Sequence, residues 1–360
     1  MTCYLVLEDG TVYEGEEFGH HAEAFGEVVF STSMSGYQES LTDPSYRGQI
    51  LVMTFPTIGN YGTTDEFFQS EAVHCRAVVV SEYTREPSDS YHGKTIDEFL
   101  RDYKVPGISG IDTRDLVVKI REHGTLKGAL IYDADAIQET VAKLKAMPAP
   151  SDANLVGEVS CKEIQTFRNG KENTVALLDC GEKLRILQDL SMFFNVVMFP
   201  YDTPSDVIMS YNVSGMLVSN GPGDPSHPAM VRGPAKTVSD LSTRIPIMGI
   251  CLGNQVTAVG LGGKTYKMKF GHRGCNQPVK YQDRIYITSQ NHGFAVDEES
   301  LKGTGLIADQ FNVSDGTVEG MRLEGLPVFT AQYHPEANPG PNDTVFLFSR
   351  FRDAVREAKR

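Results

Sequence analysis

The sequence predicts an α/β protein: an N-terminal α+β domain followed by a domain with an open, mostly parallel sheet flanked by helices. Three observations carry this. A chain of 360 residues is long enough for about two domains, each with its own core. Its second half alternates short apolar runs, at 174–179, 195–199, 216–219 and 246–250, with helical patterns. That alternation marks strand–helix–strand units, whose right-handed crossovers build parallel sheets. Between the halves, residues 148–172 carry Pro148, Pro150, Ser151 and Asn169-Gly170 and read as an extended linker. The domains are therefore 1–147 and 173–360.

The first domain opens on a hairpin. Residues 4–7 and 11–13 are strand-like, and Asp9-Gly10 supplies the tight turn. Residues 27–32, 49–55 and 77–81 are apolar strand candidates, and 33–46 reads as a polar, turn-rich surface loop. Residues 96–103 form a short amphipathic helix. A second covers 110–123, with Asp112 or Thr113 as N-cap and Gly124 as its stop. None of these elements is catalytic by residue type.

The second domain opens on the run 174–179, apolar enough to be buried on both faces. Cys180 follows it and reads as packing. Residues 182–194 place Leu187, Leu190 and Phe194 on one helical face, and Thr203-Pro204 starts the next helix in the favoured order of cap and proline. A helix lies within 228–243, and an amphipathic helix over 344–360 covers the sheet.

Chemistry enters at residues 246–255. A short apolar run ends at Cys251, set between Gly249 and Gly253, and a helical stretch follows. This is the layout of a nucleophile elbow with sulfur in place of hydroxyl. Small neighbours tolerate the sharp turn, and the new helix offers free N–H groups and a positive end to a thiolate and an oxyanion. A cysteine packed in a core strand shares the same pattern. The far end of the chain decides between them. His334-Pro335-Glu336 closes another strand-like run and supplies a general base with a carboxylate to orient it. Between them in the expected sheet lies the rigid turn 219–225, with two glycines and two prolines, able to aim backbone N–H groups at an oxyanion. All three pieces fall at the carboxyl ends of strands, where open α/β sheets bind ligands.

Ser219-Asn-Gly-Pro-Gly-Asp-Pro225, Gly249-Ile-Cys-Leu-Gly-Asn-Gln255 and His334-Pro-Glu336 together resemble the class I (triad) glutamine amidotransferases. Lys267-Met-Lys-Phe-Gly-His-Arg-Gly274, Gln290-Asn-His-Gly-Phe-Ala-Val-Asp297 and 334–341 narrow the resemblance to the small subunits of carbamoyl phosphate synthetase, over nearly the whole chain. The resemblance implies a Cys251, His334, Glu336 triad, and a glutamine site of Ser45, Gly221, Gly223, Leu252, Gln255, Asn291, Gly293 and Phe294. It implies no cofactor or metal in this chain. ATP, bicarbonate and Mg belong on a large synthetase subunit that makes carbamoyl phosphate for arginine or pyrimidine synthesis. The N-terminal domain is then the partner interface. One departure is Asn254, where the family usually has histidine; that histidine is not the triad base, so tuning is expected, not loss. Three other roles remain open on sequence: the glutaminase of another synthetase, a stand-alone γ-glutamyl hydrolase, and a non-catalytic scaffold.

Composition excludes several classes. With 40% hydrophobic and 22% charged residues the chain is an ordinary globular one, and a net charge of −14 argues against a nucleic-acid surface. No apolar run approaches the roughly 20 residues that span a bilayer, and residues 1–10 lack a signal peptide's features, so a cytoplasmic protein is expected. Six cysteines without a Cys-x-x-Cys pair read as reduced thiols. Gly262-Gly-Lys-Thr265 lacks the first glycine of a phosphate loop, since Ala258 stands there. Histidines 20, 21, 74, 92 and 123 lack zinc-ligand spacing, and His272 and His292 read as structural.

Overall fold

Residues 1–88 and 93–358 are described by a computed structural model and fall into two units, Met1–Ala153 and Asn154–Arg360. His92 and the last two residues of the expected C-terminal helix lie outside the described residues.

The first unit is a closed barrel. Its strands are β1 (Thr2–Leu7), β2 (Val12–Gly19), β3 (Ala24–Ser31), β4 (Gln49–Met53), β6 (Ala77–Val79), β8 (Pro106–Ser109) and β9 (Leu126–Ile131); β5 (Thr57–Ile58) and β7 (Glu82–Tyr83) make a separate small pair. The barrel order is β1-β2-β8-β6-β4-β3-β9. The β1–β2 hairpin turns at Asp9-Gly10, where Gly10 takes φ +92° and Asp9 accepts the Thr11 N–H at 2.9 Å. Helix Ile96–Asp102 starts on a reciprocal cap between Thr95 and Glu98, and helix Thr113–His123 on Asp112. Phe18, Val29, Leu51, Val78, Phe99 and Leu100 share one core.

Closure of the sheet is not written in any single strand, because it depends on pairs such as β1–β9 that are far apart in the chain. Residues 33–46 also differ from the expected surface loop. Tyr37–Leu41 is a short helix and Pro44–Tyr46 a single 3₁₀ turn, both largely buried. The polar groups are satisfied inside. The Gln38 side chain gives to Thr64 O at 2.6 Å and takes from Thr64 N at 2.9 Å, and the Tyr37 hydroxyl donates to Gly62 O.

The second unit is one ten-stranded sheet. Its strands are β10 (Gln165–Phe167), β11 (Thr174–Asp179), β12 (Asn195–Pro200), β13 (Met216–Val218), β14 (Ile247–Ile250), β15 (Thr265–Tyr281), β16 (Arg284–Val296), β17 (Leu306–Asn312), β18 (Val318–Leu323) and β19 (Val328–Ala331). The order is β10-β12-β11-β13-β14-β19-β18-β16-β15-β17. The five central strands, β12 to β19, are parallel; β10 and the group β18-β16-β15-β17 run antiparallel. The expected parallel sheet is therefore its middle only. Past Gly262 the chain extends the sheet with a long hairpin whose two-residue turn is Gln282-Asp283, needing no crossover helix. The expected linker, 148–172, carries helix Val156–Val159 and strand β10, which pairs with β12. Helix Phe346–Glu357 buries Leu347, Phe348, Phe351 and Val355 against the sheet, beside Leu190 and Phe194.

Candidate active site

Four parallel strands, β11, β13, β14 and β19, end at one edge of the sheet. Gly221 and Gly223 follow β13, Cys251, Leu252 and Gln255 follow β14, and His334 and Glu336 follow β19, while Asn291, Gly293 and Phe294 lie within β16. Cys251 comes directly after β14 and before helix Leu252–Gly260, with φ 54° and ψ −104°. A side chain other than glycine pays on the order of 1–3 kcal/mol for such a backbone. The surroundings enforce it: Cys251 N–H donates to Ala331 O of β19 at 2.8 Å, while Asn254 and Gln255 N–H groups reach the Cys251 carbonyl. Gly253 is required on steric grounds, since a Cβ there would drive into the Val218 carbonyl. The Leu252 N–H lies in the first helical turn, where N–H groups have no intrahelical acceptor.

His334 and Glu336 follow β19 and are buried. His334 Nδ1–H donates to Glu336 Oε1 at 2.6 Å, and His334 N–H to Ser289 O at 2.9 Å. His334 Nε2 is buried without a hydrogen bond among the described residues. The Cys251 thiol lies beside the ring and donates to Asn291 O at 3.5 Å. Burial works against charge on the imidazole, but the Glu336 carboxylate outweighs it and, with the thiol, holds His334 above its ordinary value. Burial likewise opposes charge on Glu336; the Lys183 ammonium and then His334 overcome it and hold the carboxyl well below the usual range.

Lys183 belongs to this constellation, and sequence reasoning passes over it. It is buried in the loop after β11, with Nζ 3.0 Å from Glu336 Oε1 and 2.5 Å from Ala337 O. Its backbone N–H donates to Asn220 Oδ1 at 3.1 Å, tying this loop to the 219–225 turn. A cation four residues past the end of a central parallel strand, at the ligand-binding edge, is the signal available in sequence. Lys183→Met leaves Glu336 buried with one partner fewer. It is expected to destabilise the protein by about 3–5 kcal/mol, read as a lower urea midpoint. An unchanged midpoint would mean that the carboxylate does not depend on the ammonium.

The remaining predicted residues divide by unit. Gln255, on the helix after Cys251, donates through Nε2 to Phe294 O at 2.7 Å, so it meets the β16 segment that carries Asn291, Gly293 and Phe294. A Cβ on Gly221 would touch Leu252, placing those two together, and Gly223 turns with φ +94°. Ser45 belongs to the first unit, in the turn Pro44–Tyr46, where its N–H donates to Asp43. Asn254 is fully buried and satisfied at both ends: Nδ2 donates to Gln332 Oε1 at 2.9 Å and Oδ1 accepts from Thr330 Oγ1 at 2.7 Å.

Comparison with known proteins adds the family. Residues 5–130 match the carbamoyl-phosphate synthase small chain, CPSase domain, and residues 176–354 match the class-I glutamine amidotransferases. The chain is 48% identical to a carbamoyl phosphate synthase small chain of Methanopyrus kandleri, over 99% of this chain and 100% of that one. It belongs to the carbamoyl phosphate synthase small-chain family. A small chain of Archaeoglobus fulgidus is 47% identical over 99% of both chains, and one of Staphylococcus epidermidis 45% identical over 99% of this chain and 96% of that one. Family and amidotransferase domain together support the role of a glutamine-hydrolysing subunit, and a small chain implies a larger partner. Among the described residues no helix is long and apolar enough to cross a membrane.

Proposed function

We propose that this chain hydrolyses L-glutamine through a thioester on Cys251 and delivers the ammonia to a large synthetase subunit, within a cytoplasmic heterodimer. The observation that carries the reading is the run Cys251, His334, Glu336, Lys183 at one sheet edge, with His334 held charged between thiol and carboxylate. The Cys251 sulfur, with His334 carrying the proton, attacks the δ-carbonyl of glutamine. Backbone N–H groups of Leu252 and Gly223 receive the oxyanion. His334 gives its proton to the departing nitrogen, and ammonia leaves. His334 then takes a proton from water as that water opens the thioester, releasing glutamate. Glu336 keeps the ring oriented through Nδ1, and Lys183 keeps Glu336 ionised. Gly221, Gln255, Asn291, Gly293 and Phe294, with Ser45 assigned by the family motif, position the substrate.

ATP, bicarbonate and Mg are used by the large subunit, which makes carbamoyl phosphate for arginine or pyrimidine synthesis. The first unit serves as the interface for that subunit. The test is glutamate release by the chain purified from its own host together with what co-elutes. Stimulation by ATP plus bicarbonate, with a large co-eluting subunit, is expected. Hydrolysis indifferent to both, with no partner, would replace this reading with an independent glutaminase.

A further inference from the structure

His272, His292 and Glu319 stand on three neighbouring strands, β15, β16 and β18, and all three are buried. The two histidines face each other across the β15–β16 ladder. His272 Nδ1 is 3.3 Å from Glu319 Oε1, and His292 Nε2 is 4.0 Å from the same oxygen. One ligand atom from each residue falls within 4.8 Å of the others. Ligands on a tetrahedral zinc ion, at about 2.0–2.2 Å, stand roughly 3.3–3.6 Å apart. One edge of the triangle already has that length, a second is 4.0 Å and none exceeds 4.8 Å.

The outer nitrogens are tied as metal-bound imidazoles are. His272 Nε2 meets Asp315 Oδ2 at 2.9 Å, and His292 Nδ1 meets Phe294 O at 2.8 Å. A carbonyl behind the His292 ring fixes its tautomer, so its Nε2 presents a lone pair toward Glu319. His272 lies between two carboxylates, Asp315 and Glu319, with Asn312 Nδ2 3.5 Å from its Nδ1, and a metal bound there would replace any proton on that nitrogen. Around His292 the centre is short of donors. His292 Nε2 faces Gln290 Oε1 at 3.1 Å, acceptor against acceptor. Turning the Gln290 amide over moves the conflict, because its Nε2 now donates to Glu319 Oε2 at 3.0 Å. Glu319 Oε1 has His272 Nδ1 at 3.3 Å and long contacts from Asn312 Nδ2 at 3.3 Å and Thr317 Oγ1 at 3.4 Å. Buried lone pairs converging on one point are stabilised by a cation.

We propose that His272, His292 and Glu319 bind a divalent transition-metal ion of the Zn²⁺ class, with Gln290 Oε1 as a fourth oxygen donor. Two imidazoles and a carboxylate suit zinc better than the all-oxygen sets of magnesium or calcium. Asp315 is partly exposed, so the ion has a route in from that side. Bound there, the ion pins β15, β16 and β18 together next to the β16 segment that carries Asn291. The proposal revises the sequence expectation of no metal. The three ligands are spaced 20 and 27 residues apart along the chain and meet only through strand pairing, a spacing that matches no short zinc motif.

The test uses the full chain carrying Cys251→Ala, which removes the nucleophilic thiol as a competing ligand. The protein is stripped with chelator, then titrated with Zn²⁺ by calorimetry and with Co²⁺ by visible absorption. One equivalent of Zn²⁺ is expected, with a rise in Tm, and a Co²⁺ spectrum lacking a thiolate charge-transfer band. Asp315→Asn should weaken Zn²⁺ binding about 10- to 100-fold, and Glu319→Gln should weaken it further. Absence of saturable binding at micromolar Zn²⁺, a thiolate band, or an affinity unchanged by Asp315→Asn would each overturn the site. Asp315 lies at the protein surface, so that variant decides the question even where Glu319→Gln fails to fold.

Discussion

Cys251→Ser is expected to reduce glutamine hydrolysis by at least about 1,000-fold while leaving synthesis from free ammonia, in the complex with the large subunit, close to its parent rate. The substitution changes one atom in a position where the backbone is already fixed. Cys251 holds φ 54° because Gly253 packs onto the Val218 carbonyl and β19 takes the Cys251 N–H, and neither contact involves sulfur. Serine therefore enters the same elbow without rearrangement. What it loses is nucleophilicity: an alcohol beside an imidazolium has no thiolate-like state to populate, and the amide of glutamine is a poor electrophile. The two rates separate the roles. Loss of both would indicate damage to assembly, and glutamate release within about tenfold of the parent would remove Cys251 from the mechanism.

The parts of this site that sequence displays are those carried by contiguous residues. The elbow is a local strand–turn–helix, so Gly249, Cys251 and Gly253 show it directly. His334 and Glu336 are two residues apart, and their 2.6 Å contact is encoded in that spacing. Lys183 is different. It meets Glu336 from 153 positions earlier, through a loop fixed by Asn220 and Ala337, and no local pattern announces the pairing. The same reason hides the barrel, whose closure depends on β9 returning to β1 and β3, and the His272, His292, Glu319 cluster. Residues 33–46 fail in another way. Their polar composition suggests solvent, yet Gln38 and Tyr37 spend their polar groups on backbone of the 62–64 segment, so a hydrophilic stretch is buried without penalty.

His334→Asn is expected to lower kcat for glutamate release by about 10²–10⁴-fold, with a smaller change in KM, because the ring handles protons and does not hold the substrate. Glu336→Gln should act on both rate and stability, and its signature is the dependence on pH. Glu336 raises the His334 value in the folded protein, so the imidazolium stabilises the fold fully below the unfolded value of about 6.5, and that contribution fades as pH rises through the raised folded value. Glu336 itself is lowered, chiefly by Lys183 against the cost of burial. Its contribution is present above the unfolded value of about 4.3 and fades as pH falls through the lowered folded value. The two windows overlap between about pH 4.5 and 6.5. There the parent should exceed Glu336→Gln in unfolding free energy by about 3 kcal/mol, and the gap should narrow toward alkaline pH as the imidazolium is lost. Urea melts of both proteins from pH 5 to pH 9 measure it. A gap independent of pH would mean that Glu336 supports the fold through packing and Lys183 alone, leaving His334 neutral at rest and requiring it to take the thiol proton only when glutamine is bound.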